Sequence, residues 1–154
     1  MQGCRKQVVA WLSFLCMAIA PAWANEADRP LLRLHGSNTI GQRLAPALAR
    51  AWAEQQGWVF VAQHTVRIDE YRIDLRRERE LAHIEIAAHG TGTGLEALLD
   101  RRADLWMASR PVSAAELAKA STLGRLDLPA QEHVIALDGV AIVVHPNNPL
   151  HTLS

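Results

Sequence analysis

The chain has 154 residues, 49% of them apolar, with 16 Lys and Arg against 16 Asp and Glu and only two cysteines. This balance excludes the basic field that a nucleic-acid partner requires. The length suits a single domain of ordinary size.

The first stretch reads as a targeting segment. Arg5 and Lys6 supply a positive start, Val8 to Ala20 is an apolar run broken only by Ser13, and Ala22-Trp23-Ala24 places small residues where a signal peptidase cuts. Residues 1–24 are therefore expected to be a secretory signal peptide. The run is short for a membrane anchor, which needs about 20 apolar residues. Cys4 and Cys16 both fall in this leader. The mature chain is thus expected to hold no disulfide, thiolate nucleophile or cysteine-based zinc site. Leu15, bulky before Cys16, argues against lipid attachment there. Setting aside Arg5 and Lys6 leaves 14 basic residues against 16 acidic, a net charge of about −2. No later segment is long and apolar enough to span a membrane.

Leu31 to Leu34 predicts a first strand, ended by His35-Gly36. Ser37-Asn38-Thr39 are good helix-capping residues, and Ile40, Leu44, Leu48, Ala51 and Trp52 follow at helical spacing until Gly57. Thr39 with Gln42 has the capping-box spacing. Pro46 conflicts with a helix running from Ile40, so the helix either kinks there or begins properly near Ala45. Trp58 to Ala62 predicts a strand. Residues 63–83 read as an insertion: Val66, Ile68, Ile73 and Leu75 alternate with charges as in edge strands or a hairpin, whereas Arg76 to Glu80 also suits a solvated helical turn. Ile84 to Ala88 predicts a strand leading into the turn His89-Gly90-Thr91-Gly92-Thr93-Gly94.

Thr93 and Glu96 have capping-box spacing, which predicts a helix through Leu95, Leu98 and Leu99 to about Arg102. Ala103 to Ala108 predicts a third buried strand. Ser113 and Glu116 form a second capping box, opening a helix toward Leu123 with Gly124 as its stop. Val134 to Leu137 and Val140 to Val144 predict further strands, split by Asp138-Gly139. Strands alternating with short helices predict an α/β fold with a mostly parallel sheet and flanking helices.

Three strand ends share one pattern, small polar residues followed by a helix start: Ser37-Asn38-Thr39, Thr91-Gly92-Thr93 and Ser109-Arg110. Strand carboxyl ends form the ligand crevice of open α/β sheets. Helix N-termini offer backbone N–H groups and positive dipole ends, hydroxyls add donors, and glycines let the backbone close in. Together they make a cage for a small oxyanion. Each also has a purely structural reading, as a helix cap, a tight turn, or an arginine paired with Asp104 or Glu132.

Other chemistries fit less well. No Gly-Lys-Ser/Thr follows the glycine turn, so it is not a P-loop. Leu95 stands where a dinucleotide fingerprint wants its third glycine. His35, His64, His83, His89, His133, His145 and His151 show no tight metal spacing, and neither metal nor cofactor is expected. His89 either lines the site or simply ends its strand. Trp52, Trp58 and Trp106 are expected in the core. Ser37 lacks the elbow of a hydrolase nucleophile, and no acid–base pair stands out, so an enzyme is not expected.

Three segments, LHGSNTIGQRLAPALARAW, IAAHGTGTGLEALLDRRADLWMASRPVSAAE and EHVIALDGVAIVVHPNNPL, resemble the phosphate-binding protein family of periplasmic ABC importers. The resemblance covers most of the chain beyond the leader, except the insertion. It implies the type II periplasmic-binding-protein fold, two α/β lobes closing on a ligand, with residues 25–145 as the first lobe and 146–154 as the start of the hinge crossover. The implied location is the periplasm. The implied partners are phosphate or another small oxyanion and the membrane subunits of an ABC importer. The family's phosphate-binding loop positions match Thr39 and Ile40, with Ser37 and Asn38 beside them, and Thr91, Gly92 and Thr93. Ser109 and Arg110 follow the ADLWMA strand, with Arg110 where the family places a proton-accepting aspartate. A related wording, GSNTIG, ASR and EHVIALDG, implies an alternative: an envelope sensor or scaffold joined to an OmpA-like domain that binds peptidoglycan.

Overall fold

A computed structural model describes residues 30–137, together with 143, 145 and 147–149. The leader, and most of the strand expected at Val140–Val144, lie outside those residues. The described chain runs β1 (Pro30–Gly36), α1 (Asn38–Gly41), α2 (Leu44–Gln55), β2 (Val59–Arg67), β3 (Glu70–Arg77), β4 (Glu80–Ala87), α3 (Thr91–Leu99), β5 (Leu105–Met107) and α4 (Ala114–Lys119), then a 3-10 turn at Ser121–Leu123. Among the described residues no helix is long and apolar enough to cross a membrane.

The strands form one mixed sheet in the order β2-β3-β4-β1-β5. The fold is α/β as expected, but the mostly parallel sheet is corrected. Only β1–β4 and β1–β5 run parallel, whereas β2–β3 and β3–β4 are antiparallel and carry the longer ladders. The source is the segment expected as an insertion. Ile68-Asp69 and Glu78-Arg79 are two-residue links between paired ends, and so short a link joins only antiparallel neighbours. Arg76 to Glu80 is therefore hairpin, not helix. Asp69 and Glu78 take left-handed backbone there, with φ 58 and 53.

Alternation decides the two faces of this meander. Ile73, Leu75, Ile84 and Ile86 are buried beneath α2, while Arg72, Asp74 and Glu85 stand on the other face. Helix α2 lies close on the sheet because its buried stripe is small: Ala45, Ala49 and Ala53, spaced four apart. Pro46 falls in the first turn of α2, where its missing N–H costs nothing. The chain therefore breaks after α1 and restarts at Leu44. Trp58 joins the core as expected, but Trp52 faces outward and is exposed. On the opposite face, α3 covers the β1 and β5 end of the sheet. A Cβ on Gly94 would stand 2.2 Å from Trp106 Cδ1 and 2.5 Å from the His35 carbonyl oxygen, so this contact requires glycine.

Further boundaries shift. The strand expected over Ala103–Ala108 shortens to Leu105–Met107, and α3 stops at Leu99, before left-handed Arg101. Gly124 ends the helical stretch after α4, as expected. Val134 to Leu137 forms no strand: these residues are irregular and exposed, and no described neighbour supplies the hydrogen bonds a strand needs.

Candidate functional site

The carboxyl ends of β4, β1 and β5 lie side by side, because β1 pairs in parallel with both neighbours. Gly36 brings β1 against β5: a Cβ there would sit 2.1 Å from the Met107 carbonyl oxygen, and its φ is +138°. Backbone bonds then tie the three loops together. Ser37 N donates to Met107 O at 2.8 Å, and Gly90 N donates to Gly36 O at 2.8 Å. The three strand-end motifs thus come to one edge of the sheet.

The side chains divide into supports and open groups. Ser37 is buried beneath the edge, and Ile40 packs on the core. Asn38 and Thr39 are exposed. Thr91 Oγ1 and Ser109 Oγ are 3.0 Å apart, and Ser109 N donates to Thr91 Oγ1 at 3.3 Å. The Trp106 indole donates to Thr91 O at 2.6 Å, fixing that residue from below. Trp106, read from sequence as core, is only half-buried and serves the turn. Around Gly92 a Cβ would meet no other atom within 4 Å, so the helix start is open on that side.

Helix α3 begins two residues earlier than its expected cap. The Thr93–Glu96 capping box does not form. Gly90 is the N-cap residue, with no side-chain cap, and Thr93 Oγ1 instead donates to Gly90 O at 2.8 Å. The Glu96 carboxylate is held by Lys119 of α4. Thr93 N also turns back to Gly90 O, at 3.1 Å, so the donor character of an uncapped helix end falls to the N–H groups of Thr91 and Gly92. Gln42, expected to cap the first helix, instead donates to Asp69 Oδ1 at 3.1 Å and pins the β2–β3 turn beside the edge.

Arg110 pairs with neither Asp104 nor Glu132. Its guanidinium forks onto Glu116, with Nη2 to Oε1 at 2.7 Å and Nη1 to Oε2 at 2.8 Å. Asp104 is taken by Arg33 at 2.7 Å. The Ser113–Glu116 capping box does form, so the same carboxylate closes α4 and holds Arg110. The Arg110 hydrogen bonds, then the Ser113 backbone N–H, hold the Glu116 carboxyl down to about 2. The hydroxyl and amide edge therefore carries no open charge from Arg110.

A cleft of about 300 Å³ adjoins the edge on the α3 face, lined by His35, Glu70, Ala87, His89, Thr93, Glu96 and Arg102. Thr93 is the one expected site residue that it shares. His89 Nε2 stands 3.4 Å from Glu70 Oε1. Burial, then Arg102, pushes the His35 imidazole down from its ordinary value. His35 was missed from sequence, although a signal was present: β1 and β4 both run into His-Gly followed by hydroxyl residues, His35-Gly36-Ser37 and His89-Gly90-Thr91; no such signal marks Glu70. Among the described residues no group of three or more His, Cys, Asp and Glu is placed to hold a metal ion.

A family model described as a PBP superfamily domain matches residues 70–154, more than half of the chain. The chain belongs to that superfamily, which is a family of binding proteins, and its α/β sheet is that of one lobe of such a fold. No curated protein and no solved structure matches the chain.

Proposed function

We propose that this protein binds phosphate, or a similar small oxyanion, at the shared edge of β1, β4 and β5, as the solute-binding component of an ABC-type importer. Ser37, Asn38, Thr39, Ile40, Thr91, Gly92, Thr93, Ser109 and Arg110 form or support the site. The observation that carries the reading is the Thr91–Ser109 hydroxyl pair beside the uncapped start of α3. Hydroxyls supply short donors and the helix end a positive dipole, which together suit a compact anion. Ser37 contributes through its place in the backbone, since its side chain is buried. Thr93 contributes mainly by fixing Gly90. The leader pattern of residues 1–24 supports export to the periplasm, where such a component works. Calorimetric titration of the full-length protein with phosphate, sulfate and an organic phosphate tests the reading. Saturable binding of at least one supports it, and no heat with any of the three refutes it.

A further inference from the structure

We infer that Glu116 is a built-in competitor for the anion: its carboxylate occupies Arg110, and the site reaches full affinity only when that contact opens. This rests on the site proposed above. Arg110 follows Ser109 directly, so its backbone lies about 3.8 Å from that of a residue whose hydroxyl meets Thr91. A guanidinium so placed is within side-chain reach of the hydroxyl pair, yet it turns to α4. Both of its terminal nitrogens are engaged, at 2.7 and 2.8 Å, in the fork–fork geometry that an oxyanion ligand would itself adopt.

The competitor is well held. Ser113 N and Ser113 Oγ both donate to Glu116 Oε2, at 2.9 and 2.8 Å. Helix α4 buries none of its own residues, and its Lys119 is tied to Glu96 of α3. Two ion pairs thus hold this short helix against the site edge. The Arg110 side chain is half-exposed although Glu116 is mostly covered, and an ion pair open to solvent on one side is weakened by dissolved ions, so a dissolved oxyanion can take the place of the carboxylate. Arg110 then swings from α4 to the anion, and Glu116 keeps its Ser113 bonds.

The test uses the full chain and inorganic phosphate at low salt. Glu116→Gln removes the charge but retains an N3 residue able to complete the capping box, so α4 keeps its start. Circular dichroism confirms the fold of each variant. Glu116→Gln is expected to bind phosphate about tenfold more tightly than the unaltered protein. Adding Arg110→Gln to Glu116→Gln is expected to abolish the gain. If Glu116→Gln binds no more tightly while Thr91→Val weakens both proteins, the site stands and the competitor role is overturned. If neither protein binds phosphate, sulfate or an organic phosphate, the site reading and this inference fall together.

Discussion

The hydroxyl oxygens of Thr91 and Ser109 stand 3.0 Å apart, joining the first residue of α3 to the chain that has just left β5. Eighteen residues separate them in sequence. They meet because α3 folds back over β1 and β5, bringing the chain after β5 to the start of the helix.

The return path depends on Gly94. Replacing it with alanine would improve intrinsic helix propensity by about 1 kcal/mol. The added Cβ, however, would overlap Trp106 and the His35 backbone. Overpacking of this kind costs roughly 1–3 kcal/mol and exceeds the propensity gain. Gly94→Ala is therefore expected to lower the urea midpoint, whereas Gly92→Ala, in open space, is expected to leave it unchanged or raise it.

Arg33 and Asp104 anchor the chain that links α3 to β5. Arg33 meets both carboxylate oxygens, at 2.7 and 3.1 Å, and also donates to Arg101 O at 2.8 Å. Both side chains are partly exposed, so screening reduces the value of the pair to about 1 kcal/mol or less. Asp104→Asn is expected to destabilise by that amount in dilute buffer and by less in 1 M salt, where the screening length is about 3 Å. Paired denaturation curves at the two salt concentrations check this.

Stability is also expected to fall with acid. The Glu116 carboxyl, ordinarily near 4.5, is held down to about 2 in the fold. A depressed carboxyl stabilises the folded state above its unfolded value, and that contribution is lost as pH falls from about 4.5 toward 2. His35 acts in a separate window. Its pKa lies below the ordinary 6.5, first because of burial, so the unfolded chain takes up the proton earlier and stability declines as pH drops below 6.5. Melting curves from pH 7 to pH 2 are expected to show both declines. Glu116→Gln should shrink the lower one, to which the lowered carboxyls of Asp74 and Asp127 also contribute, and His35→Gln should flatten the upper one.

Much of the edge was legible in the residues. Gly36, Gly90 and the Ser113–Glu116 capping box announce their turns because each satisfies a local geometric demand. The halt between α1 and α2 follows from Pro46. The sheet's strand directions were obscured because the hairpin turns use Ile68-Asp69 and Glu78-Arg79 rather than asparagine and glycine. Alternation identified Ile73 and Leu75 as strand residues, but not the neighbours they would pair with. The start of α3 was misplaced because the Thr93–Glu96 spacing is only a local signal. Lys119, distant in sequence, captures Glu96 instead. The partner of Arg110 was hidden for a related reason: one carboxylate serves both a cap and an ion pair.

The most direct measurement is a phosphate titration of the unaltered protein beside Thr91→Val and Ser109→Ala, each shown to be folded. Losing a hydrogen bond to a charged ligand costs about 1.5–3 kcal/mol, or roughly tenfold or more in affinity. Each variant is therefore expected to bind at least tenfold more weakly, with Thr93→Val closer to the unaltered protein because its hydroxyl is committed to Gly90. Unchanged phosphate affinity in both Thr91→Val and Ser109→Ala would contradict the assignment of the site to this edge.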